Sequence, residues 1–155
     1  MTLYYLDASA WVKRYAQEAG TAWLAAFLGQ GRPAACSVLG IIEVTATLAR
    51  QHRAGQLSAD ALRQKVDDLE RDWAQMIRVD VTADVVMRAR IVARTLATRG
   101  GDSVHLATAQ FLHDGLRSQG KHLVFIASDH QLLEAARTAG MSSLDPVEEE
   151  AKSAP

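Results

Sequence analysis

The chain has 155 residues, 48% of them hydrophobic and 23% charged, with a formal net charge of −1. That composition is ordinary for one globular domain and excludes a disordered chain; the near-neutral charge excludes a protein that coats nucleic acid by bulk electrostatics. A single Cys36 can form neither an internal disulfide nor a zinc cluster, no stretch approaches the roughly 20 apolar residues of a membrane helix, and the N-terminus lacks a basic signal-peptide start, so a cytoplasmic protein without membrane contact is expected.

The first predicted element is an apolar strand, Leu3 to Asp7. Helices are expected from about Ser9 to Gln17 and from Thr21 to Leu28, the second ended by Gly29, Gly31 and Pro33. Ala34 to Cys36 reads as a short strand leading to Ser37, a good N-cap, and the helix that follows carries Glu43 to a stop at Gly55. Ser58 caps a further helix whose stripe of Leu62, Val66, Leu69, Trp73 and Met76 keeps one face apolar. Ile77 to Val81 is a third strand, and Thr82 caps a helix with Val85, Ala89, Val92 and Leu96 on its inner side. Gly100 and Gly101 are read as freeing the backbone before Asp102, which opens the next helix. His122 to Ala127 is a fourth strand, Gln131 to Thr138 a helix, and Ser142 to Asp145 a short last strand. Residues 1–146 are expected to form one domain, and 147–155, with Glu148, Glu149 and Glu150, a frayed acidic tail.

Strands separated by helices pair in parallel through right-handed crossovers, which predicts an α/β/α sandwich. On such a sheet Asp7 and Asp129 each close an apolar strand and project from the same edge, where open α/β sheets bind ligands. Asp7, Asp102 and Asp129 also suit helix N-caps, a structural role that competes with a site role. Glu43 is the discriminating acid. Its helical neighbours are Leu39, Gly40, Ala46 and Thr47, with no Lys or Arg among them. A carboxylate buried there needs a cation, a hydrogen-bond partner or a raised pKa; an exposed place at the edge of the stripe is the bland alternative. Four carboxylates are the donor type that hard divalent cations take, and centres of that kind perform phosphate chemistry.

Lys13 and Arg14, just after the first acid, are candidates to hold a phosphate backbone, whereas Arg88, Arg90, Arg94 and Arg99 read as a solvated helix face. The five histidines make no H-E-x-x-H pair, and no nucleophile elbow, P-loop or dinucleotide-binding turn occurs. His105, three residues after Asp102, reads as a structural side chain.

The run Leu6-Asp7-Ala8-Ser9-Ala10-Trp11-Val12-Lys13-Arg14-Tyr15 resembles the opening motif of PIN-domain ribonucleases, in particular the VapC-type toxins of bacterial toxin–antitoxin pairs. The resemblance continues, in order, through Ile42-Glu43-Val44, Asp102-Ser103-Val104-His105-Leu106-Ala107-Thr108-Ala109 and Ser128-Asp129-His130-Gln131-Leu132. It implies a PIN-like three-layer α/β/α sandwich with a central, mostly parallel sheet. It also implies an endoribonuclease dependent on Mg²⁺ or Mn²⁺, a homodimer, an RNA substrate and a VapB-type antitoxin. The family's acidic quartet falls on Asp7, Glu43, Asp102 and Asp129, with Asp7 and Asp102 as direct metal ligands and Glu43 and Asp129 direct or acting through water. The family's hydroxyl near the first acid falls on Ser9. Where many relatives carry Ser or Thr two places before the last acid this chain has Ala127, and Ser128 stands in; Ser103 replaces a frequent Ala. Trp11, Trp23, Trp73 and the stripe from Leu62 to Met76 are candidate antitoxin contacts where exposed. Two other readings stay open, a housekeeping PIN-type nuclease without an antitoxin and a non-catalytic, Mg-binding regulatory α/β module.

Overall fold

Side chains of β1 (Thr2–Leu6) alternate between two faces, Leu3 and Tyr5 packing into one apolar cluster and Tyr4 and Leu6 into another, as befits a strand covered on both sides. The computed structural model describes residues 1–153. β1 pairs in parallel with β2 (Ala34–Ser37) on one side and β4 (His122–Ile126) on the other. β3 (Ile77–Val79) extends the sheet beyond β2, and β5 (Ser142–Leu144) extends it beyond β4. The order is β3-β2-β1-β4-β5, all parallel. The chain therefore leaves β1 toward one edge and returns beside it toward the other. Such a reversal opens a crevice outside the carboxyl ends of the two strands that flank it, here β1 and β4.

Helices cover both faces. α1 (Ala8–Trp11), α2 (Thr21–Gly29), α3 (Val38–Arg53) and α4 (Ala59–Gln75) bury Trp11, Leu24, Val44, Leu48 and Leu69 against one face. α5 (Ala83–Leu96), α6 (Gly100–Arg117) and α7 (His130–Thr138) bury Val85, Leu106, Leu132 and Leu133 against the other. Ser37, Ser58 and Thr82 cap α3, α4 and α5 through their side-chain oxygens, as the sequence predicts. No helix among the described residues is long and apolar enough to cross a membrane.

One helix boundary needs correction, and the α4 stripe is the ordinary core that its apolar spacing suggests. The helix expected to reach Gln17 is α-helical only to Trp11, then tightens into a 3-10 turn over Val12–Tyr15 before Ala16 turns extended. Trp11 lies in the core with no exposure and packs at 5.6 Å against Trp73 with the rings tilted by 34°, so it presents no surface to a partner. The stripe on α4 packs inward as well, with Leu69 and Met76 buried and Leu62 and Trp73 against them.

The tail expected to fray is helical as far as Ser153, residues 154 and 155 lying outside the described residues. α8 (Pro146–Ser153) starts where Asp145 accepts the Val147 N–H at 2.9 Å, with Pro146 at the first helical position, where its missing N–H costs nothing. α8 docks on α2, whose N-cap, Gly20, has no side chain to offer. Glu150 supplies the missing acceptor from 130 residues away, taking the N–H of Gly20 at 2.6 Å and of Trp23 at 3.1 Å. Those donors hold its carboxyl below the usual range, as a helix N-terminus does for an anion. Gly20 itself has φ +91°, and a Cβ there would meet Pro146 at 3.0 Å, so glycine is required on both counts.

Candidate active site

β1 and β4 end side by side, the Asp7 N–H donating to the Ile126 carbonyl at 2.9 Å. Asp7 is 2% exposed, and its Oδ2 accepts the Ser9 N–H at 2.9 Å, capping α1. Asp129 plays the same part beside it, its Oδ1 accepting the Leu132 N–H at 3.1 Å to cap α7. Capping does not exclude a site role for these two acids, because a cap uses one carboxylate oxygen and leaves the other for a further partner. The Ser9 hydroxyl accepts the Ser128 N–H at 3.0 Å and so ties the loop after β1 to the loop after β4. It is the backbone of Ser9, not its hydroxyl, that orients Asp7.

Asp102 departs from expectation. α6 begins two residues earlier, with Arg99 at the cap position and Gly100 and Gly101 inside the first turn, so Asp102 caps nothing. The two glycines take ordinary helical backbone angles rather than freeing the chain. At Gly101 the bare Cα matters for another reason: a Cβ there would lie 2.6 Å from Glu43 Oε1. Glu43, on the second turn of α3, leans over α6 at this point and bonds His105 Nε2 through Oε2 at 2.5 Å.

Asp7, Glu43, Asp102 and Asp129 thus line one open cleft of about 400 Å³ together with Ser9, Thr47 and Arg50. Burial and the fields of Asp7, Asp129 and Glu43 push the Asp102 carboxyl above its usual pKa, only partly offset by Arg99. For His105, burial alone would lower the pKa, yet the hydrogen bond to Glu43 and the fields of Asp7, Glu43 and Asp102 carry it above the ordinary value. Crowded, oxygen-only donors with unrelieved repulsion are the chemistry that a hard divalent cation fits.

Other candidates fall outside the cleft. Lys13 pairs with Glu18 at 3.1 Å and Arg14 with Asp72 at 3.3 Å, and neither lines the acidic wall. The Ser128 hydroxyl turns away toward Asp145 Oδ1 at 3.4 Å, so its part is to hold a loop. Arg50, which the sequence did not single out, does line the cleft, its guanidinium donating to Thr47 Oγ1 at 2.8 Å. Metal-binding atoms of His130, Asp145 and Glu148 also lie within 4.8 Å of one another, but Asp145 there serves the α8 cap and Ser128. A larger cavity of about 700 Å³ between α2 and α8, walled by Tyr4, Trp23 and Phe27, gathers no comparable set of acids.

Comparison with known proteins agrees with this geometry. The PIN domain family model matches residues 4–137. The chain is similar to Ribonuclease VapC49 of Mycobacterium tuberculosis (strain ATCC 25618 / H37Rv), 38% identical over 151 residues that take in 94% of this chain and 100% of that one. Similarity to Ribonuclease VapC47 of Mycobacterium tuberculosis (strain CDC 1551 / Oshkosh) is 30% over 148 residues, or 93% and 97% of the two chains. Among solved structures, PAE2754 from Pyrobaculum aerophilum superposes with a TM-score of 0.67 at 18% identity, covering 98% of this chain and 97% of that one. The DNA-bound VapBC from Salmonella typhimurium gives 0.63 at 15% identity, with 94% and 99% covered. Identities so low speak to the fold alone.

Proposed function

The chain belongs to the PIN-domain family, and from that premise we propose that it is a metal-dependent endoribonuclease, the toxin of a VapBC-type toxin–antitoxin module. The observation that carries the reading is the convergence of four carboxylates, from four separate segments of the chain, on one cleft at the carboxyl end of the sheet. Relatives at 38% identity over nearly the whole chain bear the name ribonuclease, which favours a catalytic centre over a regulatory ion site. The proposed partners are RNA as substrate, a VapB-type antitoxin as inhibitor, and a second copy of the chain. Exposed Met87 and Ile91 on α5 and Phe111 on α6 offer apolar surface for that copy.

Asp7 and Asp102 are the proposed direct ligands of Mg²⁺ or Mn²⁺, with Glu43 and Asp129 binding directly or through water. An ion held by this set supplies the charge that polarises a scissile phosphate and acidifies an attacking water. The chain does the positioning. Ser9 N–H and Leu132 N–H fix one oxygen each of Asp7 and Asp129, and the Ser9 to Ser128 bond keeps the two loops in register. Incubated with cellular RNA, the purified protein is expected to yield discrete fragments with Mg²⁺ or Mn²⁺ and none in excess chelator. Cleavage that survives the chelator would sink the metal mechanism; intact RNA beside a metal-loaded protein would favour the regulatory module.

Arg50 takes the place that Lys13 and Arg14 do not fill. Among the described residues no carboxylate pairs with it, and it stands at the rim of an acidic cleft that must still admit a phosphate backbone. Arg50→Ala is expected to raise KM and leave kcat nearly unchanged. The slope of log affinity for single-stranded RNA against log salt should shrink by about 0.7, the value for one lost phosphate contact. Fluorescence anisotropy across a salt series measures it, and an unaltered slope would take Arg50 out of the substrate path.

A further inference from the structure

His105 is a titratable side chain, 1% exposed, with both ring nitrogens engaged. Nε2 lies 2.5 Å from Glu43 Oε2, and Nδ1 lies 2.9 Å from the Tyr5 hydroxyl, which also sits 3.2 Å from the Ser37 backbone nitrogen. With the ring proton on Nε2, every donor meets an acceptor in turn. Ser37 N–H donates to the Tyr5 oxygen, Tyr5 O–H to Nδ1, and Nε2–H to the carboxylate of Glu43. The far end of this chain is rigid: Tyr5 lies in the middle of β1 with no exposure, stacked on Phe125 at 5.7 Å with rings 8° from parallel.

Glu43 is otherwise poorly held. Its side chain is 32% exposed, and among the described residues its carboxylate makes no hydrogen bond except that to His105. A glutamate has enough torsional freedom to swing out of such a cleft. Gly101 limits it on one side, because Oε1 occupies the space a Cβ would take, and His105 limits it on the other.

We infer that His105 is a positioning residue: backed by Tyr5, it fixes the Glu43 carboxylate in the orientation that faces Asp7, Asp102 and Asp129. The inference rests on the nuclease reading of this cleft. It does not require His105 to touch RNA or metal. Partners that orient a ligating carboxylate are worth about 10–100-fold in metal affinity or activity.

The test combines H105L, which removes both nitrogens and keeps an apolar volume, with H105Q, which keeps a donor within reach of Glu43, and with E43Q alone and together with H105L. Mn²⁺ affinity, read from the electron spin resonance signal of free Mn²⁺, and single-turnover cleavage are measured on each. H105L should lose about 10–100-fold in one or both, H105Q should recover most of the loss, and the double variant should be no worse than E43Q, because the charge that His105 positions is then already gone. An H105L protein that binds and cuts like wild type overturns the inference, as does an equal loss from H105L with and without Glu43.

Should H105L fail to fold, nitrogen-15 histidine spectra of the wild type carry the test. They should place a proton on Nε2 at low field, and E43Q should move it upfield; a proton on Nδ1 alone, or an Nε2 proton indifferent to E43Q, overturns the inference. Wild type that neither takes up Mn²⁺ nor cuts RNA overturns the nuclease reading and this inference with it. Wild type that does both beside an indifferent H105L overturns this inference alone.

Discussion

Asp7→Asn is expected to slow RNA cleavage on the order of 10³-fold while the protein folds as before. The substitution removes a ligand charge with almost no change of volume, and the remaining side-chain oxygen still accepts the Ser9 N–H that starts α1. Asp7→Ala is a poorer probe, since losing the cap costs roughly 1 kcal/mol by itself and mixes stability with chemistry. Single-turnover cleavage, read beside near-ultraviolet circular dichroism, checks the outcome. A folded variant cutting at the wild-type rate would remove Asp7 from the centre.

Asp102→Asn is expected to abolish cleavage as well, yet to make the metal-free protein more stable, with a Tm higher by a few degrees. Asp102 accepts no hydrogen bond among the described residues, and its carboxyl is raised by burial and by Asp7, Asp129 and Glu43. In the unfolded chain it titrates in the ordinary carboxylate range, so between that range and the folded value the native state binds the extra proton. Stability contributed by this group is therefore full at low pH and is lost as pH rises through the folded value. Asparagine has no such dependence. Its advantage over wild type should be complete above the folded value and vanish below the ordinary aspartate range. Saturating Mg²⁺ should reverse the order, since ion at a hundredfold excess over Kd adds about 2.7 kcal/mol to a protein that binds it. Thermal melts over a pH series, with and without Mg²⁺, decide the matter; a metal-free variant that melts well below wild type would make Asp102 a structural support.

Much of this site was legible from local pattern. Apolar runs ending in Asp7 and Asp129 announce strand ends, and parallel pairing puts both ends on one edge of the sheet. Glu43 stood out because no Lys or Arg stands three or four residues from it on its helix. What closes the gap is His105, whose contact with Glu43 spans 62 residues and depends on how α3 crosses α6, which no periodicity encodes. The pairing of Arg14 was illegible for the same reason: its partner Asp72 arrives on a different helix. Asp102 was misplaced because glycines and a cap-prone acid argue for a helix start at 102, whereas Glu43 overhead explains the bare Cα at Gly101 within the helix. The acidic tail looked solvated because nothing near it in sequence shows that α2 begins with an uncapped turn awaiting Glu150.

The central pairing of β1 with β4 also governs when the cleft can exist during synthesis. β1 is made long before its partner on this side, which begins at His122, and Asp129 follows only after that strand is complete. A growing chain that stops before His122 can contain Asp7, Glu43 and Asp102 and still lack the strand that sets the edge on which they meet. For a protein proposed to cut RNA, made at the ribosome with its own message threaded alongside, the strand order acts as a timer. Pairing across so long a separation is slow to close, and the scissors are assembled only after Asp129 has been added.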